Sequence, residues 1–504
     1  EEWPEVPVTL SHVLNPIPRE YRRIISAAID ASLHPIVGAY VGSLRESLDR
    51  AGFDGQLLMA NCVGGMMPPG EMVERPIYSV MSGPTLAPIA ARALTNEADV
   101  IVGDMGGTTF DVSALRDRQL IVTPEARIGH DMLGIPKVDV RSIGAGGGSI
   151  AWVDGGGLLH VGPQSAGARP GPACYGLGGT ESTVTDANVV LGIIDPDYFL
   201  GGRMKLDRAR AEEAVTKVAE GLGIGLLEAA YSIHTTSNHN MVTAIEDITI
   251  REGINPRDSY FVSGGGGTAC HIAEMAEVLG LRRYMIPKFA AGLSAFGGLI
   301  CDLRSEASGT CHTDNRRFDL SRVNAMLAEL RARGEAFLDR AQVAPQERQF
   351  EYSLMGRYLF QSWEIAVPFD LPDSVLQNAD VERLSQAFHS MHERIYSIND
   401  PSDTVEFMSW KVVAIGTRAN AGALRGLPIE AQAGESTPKH RRPIYVHEMG
   451  GLSEIDVYDG ATLGAGAVLA GPCVIEEATF TALLLPGHAA RIDEQGNYLA
   501  EVRT

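Results

Sequence analysis

The sequence is poor in several things, and each shortage excludes something. Of 504 residues only 6 are cysteine, and aromatic residues make up 6%. The cysteines stand apart, at 62, 174, 270, 301, 311 and 473, and no two form a CxxC pair. That spacing excludes a zinc ribbon or a disulfide framework and is expected of reduced thiols in a cytoplasmic protein. Cations are scarce too: 42 Lys and Arg against 63 Asp and Glu give a formal charge of −21. A phosphate backbone is gripped by clustered Lys and Arg, so a nucleic-acid partner is not expected. No uninterrupted apolar run of about 18 residues is present, so a membrane span is not expected. The opening EEWPEVPVTLSH lacks a basic stretch followed by an apolar one and does not read as a secretory signal.

What is present is an ordinary globular composition, 45% hydrophobic, punctuated by 56 glycines. The length predicts two to four domains at roughly 150 residues each. Apolar periodicity predicts helices over 24–40, 87–94, 206–222, 226–251, 269–279, 320–341 and 381–396. Short apolar runs that end in glycine predict strands at 56–67, 100–105 and 259–264. Composition shifts near 315, so the chain is expected to divide into 1–315 and 316–504. The second part reads as α+β, with 418–442 as a linker or loop and a tail of short strands forming a small β unit.

The strongest motif is Asp104-Met105-Gly106-Gly107-Thr108-Thr109-Phe110-Asp111. A buried strand delivers an acid into a Gly-Gly turn bearing hydroxyls, and the chain returns as a strand. Two glycines let backbone N–H groups approach an anion closely. Thr108 and Thr109 add hydroxyl donors. Asp104 and Asp111 suit a hydrated Mg2+ (or Mn2+), which takes one or two carboxylates plus phosphate oxygens. The plain alternative is a tight hairpin with exposed polar residues. A second cluster, Gly264-Gly265-Gly266-Gly267, follows a strand and precedes a helix, which aims a helix N-terminus at a ligand. It is not GxGxxG and does not specify a Rossmann site. A third turn holds Gly144, Gly146, Gly147 and Gly148. His130 and Asp131 lie on a loop some twenty residues beyond the hairpin, within reach of a substrate or metal, or simply on the surface. His160 reads as a satisfied structural histidine, Asp186 as a helix cap, Cys174 as a buried small hydrophobe, and the Cys311-His312 pair as no metal site.

Strand–DxGGT–strand, followed much later by strand–GGGG–helix, resembles the actin, hexokinase and heat-shock-chaperone ATPases. More narrowly, the chain resembles the hydantoinase A/5-oxoprolinase family, which also holds nucleotide-binding subunits of acetone and acetophenone carboxylases. The matching stretches include ERPIYSVMSGP, GDMGGTTFDVS, RSIGAGGGSIAWVDGGG, GPACYGLGGTESTVTDANVVLG, SGGGG, GLSAFGGLICDLR and GPCVIEE. The resemblance implies an α/β actin-like ATPase fold with an additional α+β C-terminal domain.

The resemblance further implies a nucleotide-binding subunit that uses ATP to phosphorylate a substrate carbonyl oxygen. In a cyclic-amide hydrolase of hydantoinase or oxoprolinase type, this prepares the carbon for water. The alternatives are an ATP-dependent ketone carboxylase subunit and a non-catalytic ATP-binding subunit. On this basis Asp104, Asp111, His130 and Asp131 are the catalytic candidates, with Asp104 and Asp111 also holding the metal. Gly106, Gly107, Thr108 and Thr109 would take the γ-phosphate, Gly264 to Gly267 the adenosine and α-phosphate, and the Gly144–Gly148 turn the same cleft. A hydantoinase B-like partner is implied. Longer family members carry a further Asp-x-Gly-Gly-Thr domain, and this sequence has one such motif. The resemblance therefore leaves three expectations: another chain supplies it, it has been removed, or this chain alone does not turn ATP over.

Overall fold

A computed structural model describes residues 6–16, 20–123, 127–128, 131–371, 375–418 and 436–502, with backbone alone at 127–128. Most of the expected linker, 418–442, and His130 lie outside the described residues. Two compact units share the chain. The first takes 1–83, 122–138 and 300–421; the second takes 84–121, 139–299 and 422–504. Each unit thus draws on sequence from both sides of residue 315.

The first unit is built on a six-stranded sheet. Its order is Met59–Asn61, Gly65–Met67, Leu303–Asp314, Val405–Gly416, Arg348–Tyr358 and Ile365–Phe369. Arg348–Tyr358 alternates buried and open positions, the period of a strand with one face covered. The helix Leu320–Arg340 covers that sheet. Asp319 caps it by accepting from the Arg322 N–H, and Val323, Leu327, Leu330, Phe337 and Leu338 recur at helical spacing to form its buried stripe. Trp410, Phe407 and Phe388 fill the core beneath.

This unit also contains the helix Glu20–Arg50, longer than periodicity predicts and with Pro35 inside it. By length and composition alone it is apolar enough to span a membrane, with an 18-residue window at mean hydropathy 1.4. Asp30, His34 and Pro35 interrupt its apolar run. Asp30 is buried, and it accepts from the Ile77 N–H at 3.0 Å and the Thr9 hydroxyl at 2.7 Å. Those bonds tie this part of the helix to its own unit.

The second unit is built on a nine-stranded sheet. Its main path runs Val140–Ile143, Phe110–Arg116, Val100–Met105, Tyr260–Gly264, Arg283–Ile286, Tyr498–Val502, His488–Ile492 and Val468–Ala470. Val100–Met105 is antiparallel to Phe110–Arg116 and parallel to Tyr260–Gly264. Val100, Ile101 and Val102 are fully buried, as a strand covered on both faces requires. The long helix Leu226–Glu252 packs on this sheet and ends at Gly253 in the left-handed conformation. The tail behaves differently from the separate β unit expected of it. Four of its strands form their own sheet, but Val468–Ala470, His488–Ile492 and Tyr498–Val502 extend the central one. Edge pairing of Tyr498–Val502 with Arg283–Ile286 decides this, and such pairing leaves no local signal.

Candidate functional site

The site is assembled in the second unit around the turn that follows Met105. The sheet register places Asp104 opposite Asp111 across the hairpin and beside Gly264 on the parallel neighbour. Three glycine turns, far apart in sequence, meet there. Gly147 N–H donates to Gly106 O at 3.0 Å, and Gly148 N–H to Gly107 O at 2.7 Å. Gly267 N–H donates to Met105 O at 3.1 Å. A Cβ on Gly146 would sit 2.5 Å from Thr108 N, so this turn approaches the hairpin as only glycine can. Gly265 has φ +75°, and a Cβ there would lie 2.7 Å from Asp104 Oδ1.

Between these turns opens a cavity of about 190 Å3, lined by Gly106, Gly107, Gly147, Gly266 and Gly267. Its other wall carries Tyr175, Tyr198, Phe199, Glu476, Glu477 and Thr479. Gly106, Gly107 and Thr108 are exposed at the turn, and Thr109 is half-buried. A larger cavity, about 780 Å3, lies within the first unit and contains none of the expected site residues.

Burial pushes the Asp104 carboxyl up to about 6, and the like charge of Asp111 adds to the rise, while the Ser294 hydroxyl, donating at 3.1 Å, opposes it. Two carboxylates held together in a poorly solvated place suit a divalent cation that completes its shell with phosphate oxygens and water. Among the described residues no group of three or more His, Cys, Asp or Glu forms a protein-only metal site. The residues present thus fit a magnesium–nucleotide and not a closed metal cage.

Asp131 belongs to the first unit and is exposed. Asp186 is the third residue of a capping box with Thr183 and also accepts from the Cys174 N–H at 2.8 Å. His160 bonds Asp154 at 2.8 Å and stacks on Trp152. Cys174 and Cys311 are buried.

Several residues given no role by the sequence also shape the site. Thr268 accepts from the Met105 N–H at 2.8 Å and donates to Gly264 O at 2.5 Å, joining two turns. Thr185 donates to Gly147 O at 2.8 Å. Asn188 and His271, also on the cavity wall, enter a buried network with His234 and Asn238. Thr185 and Asn188 lie inside the VTDAN stretch, so its apolar-polar mixture was the available signal.

Family models of hydantoinase/oxoprolinase match residues 23–307, and of the hydantoinase/oxoprolinase C-terminal domain residues 311–498. The chain belongs to the hydantoinase/oxoprolinase family. Caprolactamase subunit alpha of Pseudomonas jessenii is 34% identical over 98% of this chain and 72% of its own length. The acetophenone carboxylase gamma subunit of Aromatoleum aromaticum is 29% identical over 98% of this chain and 69% of its own. The crystal structure of the ATP-dependent caprolactamase from Pseudomonas jessenii matches with a TM-score of 0.83 at 33% identity, covering 98% of this chain and 72% of that one. Nucleotide-free acetone carboxylase matches with a TM-score of 0.80 at 22% identity, over 97% of this chain and 70% of that one, a likeness of fold. This hydantoinase/oxoprolinase member therefore has the actin- and hexokinase-like ATPase fold with the family's C-terminal domain.

Proposed function

We propose that this chain is the nucleotide-binding subunit of an ATP-dependent cyclic-amide hydrolase, acting with a hydantoinase B-like partner in the cytoplasm. One observation carries the reading: two distant glycine turns donate backbone hydrogen bonds to the Asp104–Asp111 hairpin and leave a cavity between them. The caprolactamase likeness supports a lactam or related cyclic amide as substrate.

On this reading the exposed turn of Gly106 and Gly107, closed by the Gly106 N–H on Thr109 O at 2.9 Å, presents the Gly107 N–H and the hydroxyls of Thr108 and Thr109 to the terminal phosphate. Asp104 and Asp111 hold Mg2+, which would neutralise phosphate charge when bound. The Gly264–Gly267 turn lies against the adenosine end, and the Gly144–Gly148 turn braces the hairpin. An amide is a poor electrophile. Moving the γ-phosphoryl group of ATP onto its oxygen, with ADP leaving, opens the carbon to water; the C–N bond then breaks as the ring nitrogen takes a proton, and the resulting acyl phosphate is hydrolysed to carboxylate and phosphate. The chain contributes position and charge neutralisation, which is most of what phosphoryl transfer asks of a protein. His130 and Asp131 are kept as catalytic candidates of this proposal.

A ketone carboxylase subunit is the second reading, favoured by the acetophenone carboxylase likeness over nearly the whole chain. The test is phosphate release by the native complex with hydantoins, 5-oxoproline, lactams, or ketones with and without bicarbonate. Release driven by a cyclic amide alone is expected. Release that requires a ketone and bicarbonate would transfer the assignment to the carboxylase reading. No release with any of them would leave a non-catalytic ATP-binding subunit.

A further inference from the structure

The GPCVIEE stretch ends in two adjacent glutamates that the phosphate chemistry does not use, yet both line the cavity. Both are buried, Glu476 at 1% exposure and Glu477 at 9%. A buried carboxylate is costly unless paired, so its partners reveal what it is for. Glu476 is fully engaged, by Arg442 on one oxygen and Lys439 on the other. Arg442 also pairs with Asp195 at 3.3 Å, and Lys439 lies 3.9 Å above the Tyr198 ring.

Glu477 differs. Lys288 at 2.5 Å and the Tyr498 hydroxyl both bind its Oε1. Lys288 is itself fixed by Gly460 O at 2.8 Å. Among the described residues, Oε2 of Glu477 takes no hydrogen bond. The carboxylate is therefore clamped by one oxygen, with the other left to accept.

Its neighbourhood says what it accepts. Asp195, Glu476 and Glu477 are matched by Lys288, Lys439 and Arg442, so this wall adds no net charge to repel a triphosphate. The Glu477–Thr479 segment abuts the second glycine turn: a Cβ on Gly266 would lie 3.3 Å from Thr479 O. Tyr198 and Phe199 offer flat apolar surface on the same wall. A fixed, charged acceptor beside aromatic rings and a phosphate-suited turn matches a sugar carrying adjacent hydroxyls.

We propose that Glu477 reads the ribose hydroxyls of a ribonucleoside triphosphate, through the oxygen its lysine and tyrosine clamp leaves over. This rests on the nucleotide reading of the cavity. Hydrogen bonds to a charged group are among the stronger kind, so their loss costs at least tenfold in affinity.

The experiment measures binding of ATP, 2′,3′-dideoxy-ATP and inorganic tripolyphosphate to the full chain and to Glu477→Gln. The wild type is expected to bind ATP at least tenfold tighter than the dideoxy analogue. Glu477→Gln is expected to bind the two alike and to hold tripolyphosphate as the wild type does. Equal wild-type affinity for ATP and its dideoxy analogue overturns the proposal without any variant. So does a parallel loss of all three ligands in Glu477→Gln, which would mark a structural clamp only. A wild type that binds neither ATP nor tripolyphosphate would instead sink the nucleotide reading itself.

Discussion

Asp104 faces Asp111 directly across the antiparallel hairpin, one strand position before the glycine turn begins to form. Two carboxylates at that distance in a half-buried setting repel, and the hairpin tolerates them because the Ser294 hydroxyl binds one of them. Replacing Asp104 should therefore cost function and not fold. Asp104→Ala is expected to abolish nucleotide-dependent turnover while unfolding within about 1 kcal/mol of the wild type. Unchanged ATP turnover in that variant would remove Asp104 from the site.

The same carboxyl gives two pH effects of opposite sign. Its pKa rises from the ordinary 3.8 to about 6. Holding a cation requires the ionised form, so turnover should fall as pH drops through about 6. A raised carboxyl helps folding while it keeps its proton, so its contribution to stability is full below 3.8 and is lost as pH climbs to about 6. Asp104→Asn should flatten that part of the stability profile, which denaturant titrations between pH 4 and pH 7 would measure. An unchanged slope would show that the shift is absent.

The two inner residues of the second glycine turn separate fold from binding. Gly265 needs a left-handed backbone and has Asp104 Oδ1 within 2.7 Å of any Cβ. Gly265→Val is expected to destabilise by about 2 kcal/mol or more and to weaken ATP binding strongly. Gly266 has an ordinary backbone, and a Cβ there meets only Thr479 O, at 3.3 Å. Gly266→Ala should fold with a near-native Tm yet bind ATP more weakly, because the new methyl enters the cavity. Native affinity in Gly266→Ala would place the nucleotide elsewhere.

The motif residues were legible because glycine clusters after apolar strands announce themselves locally. Their supports were not. Thr268 reaches Met105 across 163 positions, and Ser294 reaches Asp104 across 190. No periodicity marks such partners; a buried hydroxyl looks like any other threonine or serine. The regular elements were legible for the same local reason: 320–341 was expected as a helix and found as Leu320–Arg340, and 226–251 as a helix that runs to Glu252. The destination of the tail was not, because three of its short strands join a sheet whose other members lie hundreds of residues away.

Thr268 tests one of those hidden supports. Its oxygen satisfies the Met105 N–H at 2.8 Å in a fully buried place. Thr268→Val keeps the shape and removes the acceptor, so a buried N–H is left unpaired. The expected loss is about 1–3 kcal/mol of stability. The turns should also separate enough to raise the ATP dissociation constant, while Thr268→Ser restores both. Failure of serine to rescue would assign the effect to the methyl group.

His488 supplies a pH effect far from the phosphate chemistry. Its side chain is buried, and burial pulls its pKa from 6.5 down to about 4. The ring lies 3.2 Å from Glu277 at Nε2 and 3.0 Å from the Tyr284 hydroxyl at Nδ1. A neutral ring suits both: Nε2–H donates to the carboxylate and Nδ1 accepts from the phenol. Protonation would turn the phenol's acceptor into a donor and bury a charge against the Tyr284 hydroxyl. A lowered histidine resists its proton in the folded state, so stability should be full above about 6.5 and decline on acidification towards about 4. The difference of about 2.5 units corresponds to on the order of 3 kcal/mol. His488→Gln keeps a donor and an acceptor but cannot titrate, so its stability should vary less over this range than that of the wild type. Equal slopes for the two proteins between pH 6.5 and pH 4 would show that burial leaves the His488 pKa unshifted.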